Sequence, residues 1–254
     1  MKRDLITDAN LIKEYNETDY GLRNEFYKLL SNSPVPSEEI LNNIGLYLDR
    51  RLISRYLWLN ELYQLIIGIH GSIFEFGVRY GQNLSLFISL RGIYEPYNHN
   101  RKIVGFDTFS GFPELENQRD LAKHKVGDYA VPENYKDYLE SVLKLHERFA
   151  PIEAIIKFEL VEGDATKTVH EYLANHQETI ISLAYFDFDI YKPTFDCLNA
   201  ILPYLTKNSI IAFDEINTPD WPGETKALRE VLGTKNFTIR HSMFRASAGY
   251  IIFD

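Results

Sequence analysis

From Gly71 onwards, short apolar runs alternate with segments whose apolar residues recur at helical spacing. The runs predict strands at 72–76, 102–107, 155–161, 180–187, 208–214, 236–242 and 248–253. Parallel strands need a crossover, usually a helix, so this alternation favours an open α/β sheet with helices on both faces. Only a short stretch around residues 244–247 separates the last two runs. We therefore predict a hairpin there, with an antiparallel strand at one end of the sheet.

The chain before Gly71 has a helical pattern instead. Apolar side chains at positions 52, 56, 59, 63 and 66 share one face of a predicted helix that ends at Gly68. We predict an N-terminal helical segment, residues 1–70, that packs on a domain formed by residues 71–254. Within that domain, the polar and irregular stretch 112–134 is typical of a surface lid.

Composition excludes several classes of protein. The 254 residues include 45% hydrophobic side chains, which suffices for a buried core, and the net charge of −9 argues against a general binder of nucleic acid or anionic membranes. A single cysteine, Cys197, excludes an intrachain disulfide and a multi-thiolate metal site. No apolar stretch approaches the roughly 18–20 residues of a membrane span, and no secretory apolar region follows the N-terminus. We expect a cytoplasmic protein.

Two glycines follow the first predicted strand, at positions 77 and 81. A strand, a glycine-containing turn and a helix together let a ligand approach the backbone at the carboxyl edge of a sheet. The dinucleotide fingerprint G-x-G-x-x-G is absent, because three residues without a glycine separate Gly77 from Gly81. Glu75, just before the glycines, would repel a phosphate. The pattern therefore favours a ligand that carries an ammonium group.

Acidic residues also follow the next two strands. Asp107 ends the second, where a carboxylate often holds the hydroxyls of a ribose, and Asp164 follows the third. Each acid alone is explained by a solvated loop or a helix cap. Acids at three successive strand ends, with Glu75 as the first, instead favour a ligand site.

The fourth and fifth strands end in further carboxylates. Asp187 follows the fourth, and Asp214 and Glu215 follow the fifth. If the strands are neighbours, about 4.8 Å apart, these side chains converge and repel one another unless a cation joins them. Oxygen ligands of this kind select Mg²⁺ or Mn²⁺. The alternative is that Asp187 and Asp214 only cap the segments that follow.

Five segments together resemble the macrocin O-methyltransferase (TylF-type) family of S-adenosylmethionine-dependent enzymes. They are Glu75–Gly81, Gly105–Pro113, Gly163–Ala165, Asp187–Tyr191 and Asp214–Glu215, and the resemblance covers about residues 50–235. It implies a Rossmann-like class I methyltransferase fold with a mostly parallel seven-stranded sheet. It also implies divalent-metal-dependent methylation of a hydroxyl group, often on a sugar.

The resemblance assigns roles to individual residues. It places Glu75, Gly77 and Gly81 at the methionine end of S-adenosylmethionine, Asp107 at the ribose, Asp164 and Ala165 at the adenine, and Asn83, Thr108, Gly163 and Asp187 as further cofactor contacts. The implied ligands of Mg²⁺ or Mn²⁺ are Asp187, Asp214 and Glu215. The family usually has two aspartates where this chain has Asp214 and Glu215, so that Glu215 binds through water or the site is degraded.

A metal-assisted transfer also needs a base for the proton of the acceptor hydroxyl. Asp189 is our assignment, because the loop after the fourth strand brings it near Asp187; exchanging the roles of these two aspartates is the alternative. We expect a small polar acceptor that contains a sugar, in natural-product or surface-glycan tailoring.

Two other functions remain open at this point. An NAD-dependent oxidoreductase would use a similar sheet, although the triple-glycine turn is missing. A non-catalytic cofactor-binding relative is suggested by the altered Asp214–Glu215 pair. We also expect a homodimer, because the N-terminal helices carry more apolar side chains than one sheet edge needs to cover.

Overall fold

The structure, a computed structural model, describes residues 17–113, 115, 120 and 124–253. Residues 1–16 of the predicted helical segment, and residues 114, 116–119 and 121–123 of the predicted lid, lie outside the described residues. The chain divides into two compact units, Met1–Ile53 and Ser54–Asp254.

The described residues of the first unit form helical elements. They are α1 (Glu17–Ser31), α2 (Ser37–Ile40) and a 3₁₀ turn (Ile44–Tyr47). Helix α3 (Arg50–Ile66) begins in this unit, where Asp49 accepts hydrogen bonds from the backbone N–H groups of Arg51 and Leu52. Such a cap satisfies N–H groups that have no partner within the helix. Residues 54–66 of α3 belong to the second unit.

The second unit is built on a seven-stranded sheet. Its strands are β1 (Ser72–Phe76), β2 (Ile103–Asp107), β3 (Phe158–Glu162), β4 (Ile181–Phe186), β5 (Leu205–Phe213), β6 (Arg240–His241) and β7 (Gly249–Ile252). The spatial order is β3-β2-β1-β4-β5-β7-β6. The first five strands pair in parallel, and β7 is antiparallel to both of its neighbours. The predicted mostly parallel sheet with one antiparallel strand is confirmed.

One predicted strand is much shorter than expected. The run 236–242 forms only the two-residue strand β6, in which Arg240 pairs with Tyr250 and His241 with Gly249. The start of the run is used in a turn, where the Asn236 N–H donates to the Gly233 carbonyl. Apolar and β-branched composition favoured a strand over the whole run, but β7 pairs with only its last part.

Helices cover both faces of the sheet. The remaining helices are α4 (Gln82–Tyr94), α5 (Tyr135–Arg148), α6 (Ala165–Asn175), α7 (Tyr191–Ile201) and α8 (Gly223–Val231). Successive strand residues point to opposite faces, so Ile73 lies in the core cluster that contains residues of α3, α4 and α5, whereas Phe74 lies in the cluster that contains residues of α6, α7 and α8. This two-sided burial explains why the central parallel strand β4 is buried along its whole length.

The strand order reverses next to β1, which lies between β2 and β4. In open α/β sheets, ligands bind at such a reversal, beyond the carboxyl ends of the strands. The segments that follow β1, β2, β4 and β5 therefore meet at one edge. Within the described part of the chain, no helix combines the length and the apolar character needed to cross a bilayer.

Candidate active site

The loop after β1 lies against the loop after β4. Gly77 has a φ of +94°, and a Cβ at this position would lie 2.1 Å from the backbone oxygen of Asp187. Only glycine tolerates both this conformation and this close approach. The Asp187 N–H also donates to the Phe76 carbonyl, at 2.8 Å. Gly77 therefore allows the end of β1 to support the segment that carries Asp187.

Asp107 holds the same glycine loop from the other side. Its Oδ2 accepts hydrogen bonds from the N–H groups of Val78 and Arg79, both at 2.7 Å, and its Oδ1 accepts one from Phe109 at 2.6 Å. A carboxylate has about four acceptor positions, so Oδ1 retains one for a ligand. Asp107 thus orders the loop, and its predicted role at a ribose stays a prediction.

Glu75 is a buried acid, and one of its two carboxylate oxygens has no hydrogen-bond partner among the described residues. Only 1% of the residue is exposed, and among the described residues nothing hydrogen-bonds to its Oε2 atom. Burial, together with the negative charge of Asp187, raises the pKa of Glu75 well above its ordinary value, although Arg55 and Asn83 act in the opposite direction. A cationic group at Oε2 would supply the missing partner. This environment fits the ammonium group that the sequence suggested.

Glu75→Gln is expected to stabilise the folded chain while it weakens cofactor binding. An acid whose pKa is raised by folding binds more protons in the folded state, so its contribution to stability falls as pH rises above the ordinary value of 4.5. Glutamine removes this dependence. Thermal unfolding at pH 5 and pH 8 should show a larger advantage of the variant at pH 8, of about 1 kcal/mol or more. An equal difference at both pH values would contradict the account.

Two aspartates and two arginines form an acid–arginine cluster (Arg55, Asp187, Asp214 and Arg245). The Arg55 Nη2 atom lies 2.7 Å from Asp187 Oδ2 and 4.0 Å from Asp214 Oδ1. Arg245 Nη2 lies 2.6 Å from Asp214 Oδ2, and the Tyr185 hydroxyl donates a short hydrogen bond to Asp214 Oδ1. Sequence reasoning did not identify Arg55, Arg245 or Tyr185 as site residues.

The carboxyl groups of this region differ in acidity. Burial and the charge of Asp214 raise the pKa of Asp187 to about 6, and burial with the same neighbour raises the pKa of Glu215 to about 7. Burial also acts to raise the pKa of Asp214, but Arg245 and Arg55 outweigh it and hold that pKa below its ordinary value. Of these three acids, Asp214 is therefore the one whose negative charge is best stabilised.

The predicted metal site is not formed by the described residues. No group of three acidic, histidine or cysteine side chains among them is arranged to hold a metal ion. Asp187, Asp214 and Glu215 are the right type of ligand for a hard cation, but Arg55 binds Asp187, and Arg245 binds Asp214. In this arrangement guanidinium groups neutralise two of the three predicted ligands, and the assignment of Asp187, Asp214 and Glu215 to a metal ion stays a prediction.

Glu224 joins the loops after β4 and β5. This fully buried side chain accepts backbone hydrogen bonds from Phe188 and Asp189 through Oε1 and from Glu215 through Oε2, at 3.1–3.2 Å. Its neighbour Gly223 permits the approach, since a Cβ there would lie 2.5 Å from the Tyr191 nitrogen. An acid in the first turn of a helix is common, so the sequence carried no particular signal for this role.

The remaining predicted residues lie at the ends of β2 and β3. Asp164 caps α6, where it accepts hydrogen bonds from the N–H and hydroxyl groups of Thr166. Thr108 donates to the Gly111 carbonyl within a turn. The Gly163 N–H donates to the Asp107 carbonyl, and Ala165 is buried. Their cofactor contacts stay predictions.

The structure brings Glu75 and Asn83 close to the acid–arginine cluster, since Arg55 Nε donates to Asn83 Oδ1 at 2.9 Å and Arg55 acts on the charge of Glu75. Asp189 lies in the adjoining loop with a φ of +64°, and its N–H is bound by Glu224. The site thus combines a buried acid beside the glycine loop with a charged cluster at the ends of β4 and β5.

Aromatic side chains of the predicted lid cover residues near this edge. The His124 ring stacks on Trp221 with centroids 4.1 Å apart, and Phe112 and Tyr129 pack edge-on or tilted around them. Arg79 lies over the Tyr129 ring, 4.6 Å from its centroid. Phe112, His124 and Trp221 are buried, so this group forms an aromatic cluster in the interior of the loop region.

Comparison with known proteins adds independent evidence. One crystal structure of CalS11, described as a calicheamicin methyltransferase, is 41% identical, covers 100% of this chain and 99% of that protein, and has a TM-score of 0.91. A second, the apo form described as a TDP-rhamnose 3'-O-methyltransferase, is 41% identical over 95% of this chain and 98% of its own, with a TM-score of 0.84.

A more distant match shows the fold alone. The O-methyltransferase NovP is 16% identical over 79% of each chain, with a TM-score of 0.61. Neither a scan of protein-family profiles nor a search of curated proteins found a match.

Proposed function

Because the chain belongs to the O-methyltransferase family that contains CalS11, we propose that it transfers the methyl group of S-adenosylmethionine to a hydroxyl of a sugar acceptor. The full-length match at 41% identity is the observation that carries this proposal. CalS11 is described as acting on TDP-rhamnose, which suggests a sugar nucleotide here too. The five motifs quoted above further support membership of the TylF-type group, and tailoring of a natural product or surface glycan is the setting that we propose.

The cofactor is proposed to lie across the carboxyl ends of β1, β2 and β3. Glu75 would bind the ammonium group, since its Oε2 is buried without a hydrogen bond among the described residues. The remaining acceptor position of Asp107 Oδ1 would take a ribose hydroxyl. Gly163, Asp164 and Ala165 would border the adenine, beside the cap of α6.

Transfer requires the acceptor oxygen to lose a proton as it gains a methyl group. S-adenosylmethionine, when bound, would supply the methyl group and leave as S-adenosylhomocysteine, and the base would take the proton of the acceptor hydroxyl. We propose Asp189 as that base, held in place by the bond from its N–H to Glu224. The alternative, Asp187, is supported by its raised pKa of about 6, which suits proton transfer near neutral pH.

We also propose that Mg²⁺ or Mn²⁺ binds at this edge, although fewer observations support the ion than support the cofactor. Asp187, Asp214 and Glu215 have the donor chemistry of a hard-cation site, but a cation would have to displace Arg55 or Arg245 from its carboxylate. When bound, such an ion would lower the pKa of the acceptor hydroxyl. In the arrangement described, Arg55 and Arg245 hold these carboxylates in place.

Calorimetric titration with S-adenosylhomocysteine tests the cofactor assignment. We expect binding that Asp107→Ala weakens by about 10-fold or more, because the variant loses the ribose acceptor and the bonds that order the glycine loop. The exposed Asp137→Ala is the matched control. The titration is run with and without Mg²⁺, so that an effect of the ion on cofactor affinity is measured separately. Absence of binding would remove the proposal and favour an oxidoreductase or a non-catalytic relative.

The expected dimer and the cytoplasmic location stay predictions. The dimer is supported by exposed apolar side chains of the first unit, such as Leu22, Phe26 and Leu46. Sedimentation that shows only monomer at micromolar concentration would contradict it.

A further inference from the structure

Arg55 lies between the proposed cofactor pocket and the acid–arginine cluster. Its Nε donates to Asn83 Oδ1 at 2.9 Å, and its Nη2 donates to Asp187 Oδ2 at 2.7 Å. The side chain is 24% exposed, so it borders accessible space although its charge is largely surrounded by protein. Helix α3 thus supplies a guanidinium group to the edge at which the strands end.

We propose that Arg55 binds the carboxylate of the methionine end of the cofactor, opposite Glu75. This inference rests on the proposed function, because it assigns a residue to one group of S-adenosylmethionine. That end of the cofactor is zwitterionic, with an ammonium group and a carboxylate on the same carbon atom. A pocket that contains Glu75 alone would satisfy the ammonium and leave the carboxylate facing a buried acid.

Of the two arginines in the acid–arginine cluster, Arg55 has the contacts that suit a partner of the cofactor carboxylate. Arg245 is bound to Asp214 on the far side, at the end of β5. Arg55 instead contacts Asn83 at the start of α4, and its charge acts directly on Glu75. The Arg55 hydrogen bonds seen among the described residues come from Nε and Nη2, so Nη1 can donate to a ligand. A planar guanidinium matches the geometry of a carboxylate.

Charge balance supports the same arrangement. When ionised, Glu75, Asp187 and Asp214 carry three negative charges against the two positive charges of Arg55 and Arg245. S-adenosylmethionine carries two positive charges, on sulfur and ammonium, and one negative carboxylate. Further carboxyl groups lie at the same edge, namely Asp107, Asp189, Glu215 and Glu224, so carboxyl groups outnumber the two guanidinium groups. A cofactor with a net positive charge adds to the smaller of the two charges, provided that its own carboxylate is paired. Arg55 is placed to form that pair without giving up Asp187, because it has five N–H donors.

The test compares two ligands that differ only in the carboxylate. S-adenosylhomocysteine and its decarboxylated analogue, which keeps the ammonium group, are titrated into the wild-type chain, Arg55→Gln, Arg55→Lys and the exposed control Arg50→Gln. We expect Arg55→Gln to weaken S-adenosylhomocysteine by about 10- to 100-fold and the analogue by about 2-fold or less. Arg55→Lys should lose less affinity for S-adenosylhomocysteine, because lysine keeps the positive charge but lacks the paired N–H donors of the guanidinium group. The control Arg50→Gln should bind both ligands like the wild type.

Equal weakening of both ligands by Arg55→Gln, or of neither, would overturn the inference and leave Arg55 as a partner of Asp187 alone. If Arg55→Gln does not fold, the wild-type chain and Arg55→Lys provide the test. The wild type must then bind S-adenosylhomocysteine more than about 10-fold more tightly than the decarboxylated analogue, and Arg55→Lys must reduce that difference. Failure of the wild type to bind either ligand would instead contradict the proposed function.

Discussion

Asp189→Asn is expected to lower kcat for methyl transfer about 10³-fold while the affinity for S-adenosylhomocysteine stays within about 3-fold of wild type. Asparagine keeps the shape of the side chain but cannot take a proton from the acceptor hydroxyl. The N–H of residue 189 still donates to Glu224, so the loop should keep its position. Initial rates with saturating cofactor, together with calorimetry, measure the two effects separately.

Asp187→Asn provides the necessary comparison, and the exposed Asp137→Asn provides the control. If Asp187 only anchors Arg55, its loss should disturb cofactor binding as well as rate, because the Arg55–Asp187 pair at 2.7 Å is broken. A large loss of kcat in Asp187→Asn, with little loss in Asp189→Asn, would exchange the two roles. Full activity in both variants would contradict a carboxylate base at this loop.

Gly77→Ala is expected to destabilise the folded state by about 3 kcal/mol and to abolish cofactor binding. The added methyl group would meet the backbone of Asp187, which has no side-chain freedom with which to move away, at a φ of +94°. Relief requires the loops after β1 and β4 to separate, and both carry proposed site residues. Chemical denaturation gives the loss of stability, and titration with S-adenosylhomocysteine gives the loss of binding.

Gly92→Ala is the matched control for that variant. Gly92 lies within α4, and a Cβ there would have open space around it. Alanine should therefore stabilise the helix by about 0.5–1 kcal/mol. Similar effects of the two substitutions would show that the close approach of Gly77 to Asp187 does not limit this loop.

Much of the fold could be predicted because local patterns determine it. The strand β1 was predicted at its observed bounds, since Ile73, Phe74 and Phe76 belong to a short apolar run and Gly77 follows it. The strand order places the carboxyl ends of parallel strands at one edge, so Glu75, Asp107 and Asp187 could be assigned to a common region from their positions alone. The length of β6 could not be predicted from the sequence, because it depends on how much of β7 is available to pair with it.

The charged partners of the acids could not be predicted. Arg55 and Asp187 are 132 positions apart, and nothing in the spacing of α3 distinguishes Arg55 from other arginines on that helix. Arg245 lies in the hairpin between β6 and β7 and reaches Asp214 only because β7 pairs with β5. Clustered carboxylates alone indicate a cation, but they do not reveal whether that cation is a metal ion or an arginine.

The most direct test of the proposed function is methyl transfer from S-adenosylmethionine carrying a deuterated methyl group to a TDP-deoxyhexose, followed by mass spectrometry of the sugar. We expect a labelled methyl ether on the sugar and an equal amount of S-adenosylhomocysteine, with the initial rate of product formation about 10³-fold lower when Asp189→Asn replaces the wild-type chain. No labelled product from TDP-deoxyhexoses or from glycosylated acceptors, despite tight binding of S-adenosylhomocysteine, would contradict a sugar O-methyltransferase.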